Sequence, residues 1–275
     1  MRRRTLLAGA AGALTLGGCD RWRAAAEPVI PDVPVGDERL ERRESAARGR
    51  AVDFYTAVPA GHGDGRGLPV LLVLHGASKT AADFPALGLG RFVTDSARRG
   101  NPPFVLAGAT GGRLSWRPAG ADDPQRMVHE EIPAWCAERG FDVSRISVCG
   151  WSMGGFGALL LAQTFPGFVR AVAAFSPAVS AGDDVFARVG ALRGVPVGLW
   201  CGTGDGLLAD VRALERALPQ PKAAGSDAAG RHNFGYWSTC LPAAFDLVAR
   251  QSAAAGPGRR AGAGVTASAP ASDRR

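Results

Sequence analysis

The feature that most constrains this chain is one serine among four glycines, where a short apolar run turns into a helical pattern. The segment reads VCGWSMGGFGALLLAQ, Val148 to Gln163, and it contains Gly-x-Ser-x-Gly around Ser152. The chain has 38 glycines, so the pattern alone is weak evidence and its surroundings must decide its meaning. The alternative to a functional serine is a plain structural turn.

Continuous apolar segments alternate with amphipathic segments along most of the chain. Such alternation is typical of a mostly parallel sheet with helices on both faces, which predicts an α/β architecture. The pattern predicts strands at 51–59, 68–76, 104–110, 145–150, 169–177 and 195–202, and helices at 80–99, at 124–139, from Met153, at 208–218 and at 237–253.

The glycine-rich segment follows one predicted strand and opens a predicted helix. A nucleophile elbow requires this placement, because the turn between strand and helix is very tight. Gly150 and Gly154 would then lack side chains so that strand and helix can approach. The same turn would lift Ser152 to the carboxyl end of the sheet, where ligands bind in such folds.

A nucleophilic serine needs a base, and the sequence offers four histidines. In folds with this elbow the order along the chain is serine, carboxylate, histidine. His62 and His75 precede the serine, and His129 falls within a predicted helix, on its solvated face. His232 is the histidine in the required order, so it is the predicted base.

The predicted acid is Asp205, just past the end of a predicted strand in the segment LWCGTGDGLLAD. A carboxylate in such a turn can face the histidine and orient it. The rival Asp210 lies within the following helix, and Asp183 and Asp184 precede the strand. The ordinary alternative for Asp205 is a helix cap.

Two backbone N–H groups are predicted to stabilise the oxyanion that forms when a serine attacks an ester. The N–H of Met153 follows the serine at a helix N-terminus, where negative charge is favoured. The second donor is the N–H of Ala77, in the loop after the LLVLHG strand. His75 would then shape this loop and would not act as a base.

Four segments carry a resemblance to a known family: VLHGAS, GWSMGGFGALLLA, CGTGD and GRHNFGYW. Together they resemble the esterase family of α/β-hydrolases, which includes S-formylglutathione hydrolase, feruloyl esterases and mycolyltransferases. The similarity covers 48–250. It implies a triad of Ser152, Asp205 and His232, with Ala77 and Met153 forming the oxyanion hole. The segment KAAGSDAAG stands where the family usually has an apolar strand, so the resemblance leaves the last edge strand open.

The resemblance implies a serine carboxylic-ester hydrolase acting on a small-molecule ester without a cofactor. Only 178–194 separates two predicted strands, which leaves no room for a large cap and predicts small or medium acyl groups. The alternatives are an acyltransferase of mycolyltransferase type and a non-catalytic cell-envelope binding lipoprotein. Four aromatic residues could line a shallow acyl pocket or pack in the core: Trp116, Phe156, Tyr236 and Trp237.

Both ends of the chain differ in composition from its middle. Residues 1–18 resemble a lipoprotein signal peptide with a twin-arginine feature, and LGGC places Cys19 as the lipidated residue. Residues 19–37 are interpreted as a tether, 38–253 as the hydrolase domain and 254–275 as a disordered tail. We therefore expect export and anchoring to the outer face of a bacterial cytoplasmic membrane through Cys19 only, with a plain secreted protein as the alternative.

The net charge of +7 lies mostly at the two ends, in Arg2 to Arg4 and in the arginines after residue 258. The near-neutral middle argues against nucleic-acid binding. The remaining cysteines are Cys136, Cys149, Cys201 and Cys240, and they lack the spacing of zinc ligands. Because an intervening strand would separate Cys149 from Cys201, we expect no disulfide between these two.

Overall fold

The computed structural model describes residues 27–253, and its centre is an eight-stranded sheet with the order β1-β2-β4-β3-β5-β6-β7-β8. The six strands from β4 to β8 in this order run parallel to one another. Strand β2 pairs antiparallel with both β1 and β4. The strands are β1 Glu38–Ser45, β2 Arg50–Ala57, β3 Pro69–Leu74, β4 Val105–Ala109, β5 Asp142–Trp151, β6 Val172–Phe175, β7 Val197–Trp200 and β8 Ala224–Ser226.

Helices cover both faces of this sheet. Alternate residues of β3 show this, because Leu72 belongs to one hydrophobic core and Leu71 to the core on the opposite face. All six residues of β3 are buried. The helices are α1 Leu89–Arg98, α2 Pro124–Arg126, α3 Ile132–Glu138, α4 Met153–Thr164, α5 Asp184–Ala187, α6 Leu208–Ala217 and α7 Phe234–Ala253, and the architecture is the predicted α/β class.

One predicted helix, 80–99, is wrong over its first half. A single 3₁₀ turn spans Ala81–Asp83, and α1 begins only at Leu89. Pro85 has no N–H to donate, and Gly88 takes a left-handed φ of 73° immediately before the helix. The strand β1 was missed, because its sequence ERLERRES lacks the apolar run of a buried strand and forms an exposed edge hairpin with β2.

His129 does not lie on the solvated face predicted for it. The segment Met127–Glu131 is π-helical and joins α2 to α3. The imidazole of His129 stacks on the ring of Phe165, with a centroid distance of 3.8 Å, and meets Phe168 edge-on at 4.7 Å. The extra residue in the π turn rotates the side chain toward these rings, which a regular helical pattern could not reveal.

The end of the predicted tether is part of the folded domain. The backbone N–H of Val29 donates to Ser238 Oγ at 3.0 Å, and Ile30 packs where a side chain on Gly88 would be. The signal peptide, Cys19, the first part of the tether and the tail from 254 lie outside the described residues. No helix within 27–253 is long and apolar enough to cross a membrane.

The strand order supports two further predictions. Since β6 lies between β5 and β7, Cys149 and Cys201 are held apart. All four cysteines of the described part are free and buried. The connection between β6 and β7 holds only the four-residue α5 and a short 3₁₀ turn, Val189–Leu192. This connection is too short to form a cap over the carboxyl edge of the sheet.

Candidate active site

Ser152 occupies a strained turn between β5 and α4. Its φ of 56° and ψ of −120° place a residue with a side chain in a region that normally costs about 1–3 kcal/mol. The turn is held from β6 and the loop after it: Ser152 N–H donates to Phe175 O at 2.9 Å, and Ala178 N–H donates to Ser152 O at 3.0 Å. The fold therefore fixes the direction in which the serine side chain points.

The glycines on either side are required by close backbone contacts. A Cβ on Gly154 would lie 1.9 Å from Leu74 O, and one on Gly150 would lie 2.4 Å from Gly154 O. Any side chain at these two positions would force β5, α4 and β3 apart. This geometry agrees with the elbow predicted from the sequence.

His232 contacts both of the residues predicted to act with it. Its Nε2 lies 2.8 Å from Ser152 Oγ, and its Nδ1 lies 2.9 Å from Asp205 Oδ2. Because a carboxylate can only accept, Nδ1 carries the proton and Nε2 is free to accept the serine proton. The arrangement can raise the nucleophilicity of the serine hydroxyl.

Asp205 is the carboxylate that the fold brings to the histidine. Its side chain is only 1% exposed, and its second oxygen accepts the N–H of Leu207 at 3.0 Å. Asp210, the rival candidate, lies within α6.

The loop of Asp205 contacts the loop before His232 through a hydrogen bond from Gly204 N–H to Gly230 O at 2.9 Å. The edge strand β8, which the resemblance left open, forms over three residues and supports that second loop.

The predicted oxyanion donors flank the serine. Within 27–253 the N–H groups of Ala77 and Met153 have no hydrogen-bond acceptor, and both residues line one cavity with Ser152. Two unpaired donors beside a nucleophile can bind an anionic oxygen.

His75 shapes the loop that carries one of these donors. Its Nε2 accepts the N–H of Gly111 at 2.9 Å, so its proton lies on Nδ1, which donates to Gly76 O at 2.9 Å. Burial lowers the pKa of His75 and so favours this neutral form. Because Gly76 O and the N–H of Ala77 belong to one peptide unit, the imidazole fixes where that N–H points.

Two cavities open on either side of Ser152. The aromatic cavity, of about 410 Å³, is lined by Trp151, His232, Phe234 and Trp237 among others. The arginine cavity, of about 400 Å³, is lined by Arg113, Arg117, Met153, Phe156 and Asp183 among others. Ser152 and Ala77 line both.

Two of the four aromatic residues suggested for an acyl pocket lie beside Ser152, and two do not. Phe156 lines the arginine cavity, and Trp237 lines the aromatic cavity. Trp116 is fully buried, with its Nε1 donating to His75 O at 3.2 Å, and Tyr236 is buried with its hydroxyl donating to Ser226 O at 3.2 Å. Trp116 and Tyr236 thus pack in the interior, the alternative role given for them.

Several lining residues were missed by sequence reasoning, notably Arg113, Arg117, Trp151 and Phe234. Phe234 lies two residues after His232, so its position near the site could have been inferred. The two arginines lie in the loop after β4, and no pattern in that loop marks them. Among the described residues no group of three or more His, Cys, Asp or Glu side chains is placed to hold a metal ion.

The chain is similar to known proteins both in sequence and in structure. The family model described as "Putative esterase" matches residues 45–246. No significant sequence relative was found among curated proteins. The fold is similar to that of a ferulic acid esterase, with 19% identity, a TM-score of 0.66 and coverage of 79% of this chain and 99% of the other.

Two further solved structures share the fold. An S-formylglutathione hydrolase from Agrobacterium tumefaciens has 19% identity and a TM-score of 0.61, with coverage of 80% of this chain and 99% of that one. MPT51 (FbpC1) from Mycobacterium tuberculosis has 15% identity and a TM-score of 0.63, with coverage of 80% and 99% respectively. These matches confirm the resemblance and the α/β-hydrolase fold predicted from the sequence.

Proposed function

We propose that this chain, which belongs to the esterase family, is a serine carboxylic-ester hydrolase that works through an acyl-enzyme. The observation that carries the proposal is the hydrogen-bonded series from Asp205 through His232 to Ser152, with distances of 2.9 Å and 2.8 Å. A serine positioned in this way, next to unpaired N–H donors, fits the chemistry of ester cleavage.

In the first half of the proposed reaction, Ser152 Oγ attacks the ester carbonyl carbon while His232 Nε2 takes the hydroxyl proton. The buried carboxylate of Asp205 stabilises the resulting imidazolium. The N–H groups of Ala77 and Met153 would hold the oxyanion of the tetrahedral intermediate. The intermediate then breaks its bond to the leaving alcohol, which receives the proton from His232.

In the second half, water attacks the acyl-enzyme and gives its proton to His232. Collapse of the second tetrahedral intermediate breaks the bond to Ser152 Oγ, which regains its proton, and the free acid departs. An acyltransferase would use another alcohol in place of water at this step. The open cavities beside Ser152 favour hydrolysis, because the short β6–β7 connection provides no lid to exclude water.

A non-catalytic lipoprotein of the same fold is the remaining alternative. Loss of a triad member or collapse of the site would be the natural mark of a protein that had kept only binding. Here Ser152 holds a strained conformation and His232 lies within hydrogen-bond distance of it. Strain kept at one residue favours a working site over a vestigial one.

The acyl-chain preference is expected to be shallow. Complete burial of each added methylene would contribute about 0.8 kcal/mol, but the short β6–β7 connection forms no lid over the cavities beside Ser152. We expect kcat/KM on 4-nitrophenyl esters to change by less than about tenfold from acetate to octanoate, well below the gain that full burial would give. A rise of much more than tenfold toward octanoate, or transfer to a sugar outpacing hydrolysis, would favour the acyltransferase.

We also propose that the enzyme is exported and anchored by a lipid on Cys19, the cysteine of the segment LGGC. Replacing Cys19 with serine should block processing or release the protein from the membrane fraction, measured by fractionation and by mass of the mature chain. As a matched control, Cys201→Ser changes a buried thiol of the folded domain and should leave fractionation as in the wild type. Unchanged fractionation of Cys19→Ser would favour a plain secretory peptide.

A further inference from the structure

We propose that the arginine cavity binds a carboxylate at the far end of the substrate's acyl chain, so that the preferred substrates are half-esters of dicarboxylic acids. The proposal rests on the ester hydrolysis proposed above and names its substrate class. Arg113 is the residue assigned to the carboxylate, with Arg117 beside it.

The positions of the two cavities relative to His232 assign their roles. In ester cleavage the histidine protonates the departing alcohol, so the leaving group must lie next to its ring. His232 lines the aromatic cavity and does not line the arginine cavity. The acyl chain therefore extends into the arginine cavity, which also contains both predicted oxyanion donors, Ala77 and Met153.

Arg113 supplies a positive charge without a counter-ion. Its side chain is exposed at the cavity and has no hydrogen-bond or ion-pair partner within the described part of the chain. Arg117, by contrast, is held in place: its guanidinium lies 4.1 Å from the ring centroid of Phe156 and 3.5 Å from Asp183. The exposed carboxylate of Asp184 lies 3.6 Å from the same guanidinium. Arg113 is thus the group available to an anionic ligand.

The loop that carries these arginines is anchored to the catalytic elements. Trp116 is fully buried and fills the space beside two glycines, where a Cβ on Gly111 or Gly157 would lie 2.3 Å or 2.5 Å from its ring. Both Ser115 and Trp116 have positive φ values, 52° and 56°. Strained residues in succession persist only where the surroundings hold them, and here they fix the loop against α4 and His75.

The charge around Arg113 extends beyond the arginine cavity. Arg113 also lines an adjoining groove together with Arg42, Arg48 and Arg50, and the carboxylates there are Asp53 and Asp122. Asp53 is already paired with Arg42, and Asp122 is already paired with Arg48 and Arg50. Four cations against two anions give this groove an excess of positive charge, and it adjoins the arginine cavity at Arg113, where it attracts an anionic acyl chain.

The test compares two 4-nitrophenyl esters with equal chains: the mono-ester of adipic acid and the same compound with its free carboxyl capped as a methyl ester. Succinate and glutarate are avoided because their carboxylates attack the aryl ester without an enzyme. We expect wild-type kcat/KM to favour the free acid by at least about tenfold, equivalent to about 1.4 kcal/mol. Raising NaCl from low to physiological concentration should reduce the preference, because part of it is screened.

Arg113→Gln should remove the preference for the free acid, so that kcat/KM on the free acid falls by at least about tenfold more than kcat/KM on the methyl-capped ester. Arg250→Gln is the matched control, since it removes the same charge from an exposed position in the last turn of α7. That position is about 24 Å along the helix from Phe234, at 1.5 Å per residue. The control should keep the wild-type preference.

Three results would overturn the proposal. One is equal kcat/KM for both esters in the wild type, and another is an equal loss on both esters in Arg113→Gln. The third comes from the alcohol side: if Arg113→Gln weakens turnover of 4-carboxyphenyl hexanoate instead, the carboxylate belongs to the leaving group. If the enzyme turns over both esters equally well, the carboxylate site is contradicted and the proposed ester hydrolysis is not. If it turns over no ester at all, the proposed function is contradicted.

A binding measurement keeps the proposal testable without turnover. Calorimetric titration of Ser152→Ala with monomethyl adipate should show binding that dimethyl adipate lacks, and adding Arg113→Gln should abolish it. Equal heats from both compounds, or unchanged binding in the double variant, would contradict the proposal.

Discussion

Replacing Ser152 with alanine should lower kcat on 4-nitrophenyl butyrate by about 10⁵- to 10⁶-fold, because a triad without its nucleophile retains only binding and oxyanion stabilisation. No other hydroxyl is placed at His232 Nε2 in the described structure, where Ser152 Oγ lies at 2.8 Å. Initial rates measured against a no-enzyme blank, with enzyme concentration raised to detect the residual activity, give the value.

The alanine variant leaves the fold intact and so isolates the chemistry. Alanine keeps the Cβ that makes the conformation at φ 56° unfavourable, so the backbone strain is unchanged. The midpoint of thermal unfolding should therefore stay within about 2 °C of the wild type, and its measurement controls for misfolding. A folded Ser152→Ala protein with more than about a hundredth of wild-type kcat would contradict the role of the serine.

Replacing Asp205 with asparagine should lower kcat by about 10⁴-fold. The carboxylate accepts a hydrogen bond from His232 Nδ1–H at 2.9 Å, whereas an amide nitrogen turned toward the ring would donate and favour the other tautomer. That tautomer carries its proton on Nε2 and cannot accept one from Ser152. Asparagine also removes the negative charge that stabilises the imidazolium.

Asp210→Asn is the matched control, because it makes the same substitution in α6, five residues further along the chain. Its kcat should stay within about twofold of the wild type, as for surface substitutions in general. If Asp210→Asn proved the damaging change and Asp205→Asn the mild one, the acid would be assigned to the wrong residue.

The elbow could be predicted from the sequence because backbone sterics allow few residue types at its tightest positions. Gly150 and Gly154 lie where a Cβ would collide with main-chain atoms, and such positions are visible as glycines in the sequence. The order of serine, acid and histidine then restricted the choice to His232 and favoured Asp205. The structure places both within hydrogen-bond distance of one another.

Features that depend on contacts between distant segments could not be predicted. Trp116 was a candidate for the pocket, yet its ring fills a space left by Gly111 and Gly157, which come from different elements. The stacking of His129 on Phe165 depends on a π turn that shifts the helical register. The positive charge around Arg113 arises because the loop after β4 lies beside Arg42, Arg48 and Arg50 of the β1–β2 hairpin, which are distant from it in the sequence.

The most direct test of the proposed chemistry is labelling with a fluorophosphonate, which traps an activated serine, followed by peptide mapping by mass spectrometry. We expect one phosphonylated residue per molecule, Ser152, in the peptide that joins β5 to α4, and no label on Ser152→Ala or on wild-type protein denatured beforehand. Labelling of the Ser152→Ala variant at the wild-type rate, or a folded wild-type protein that takes no label, would contradict it.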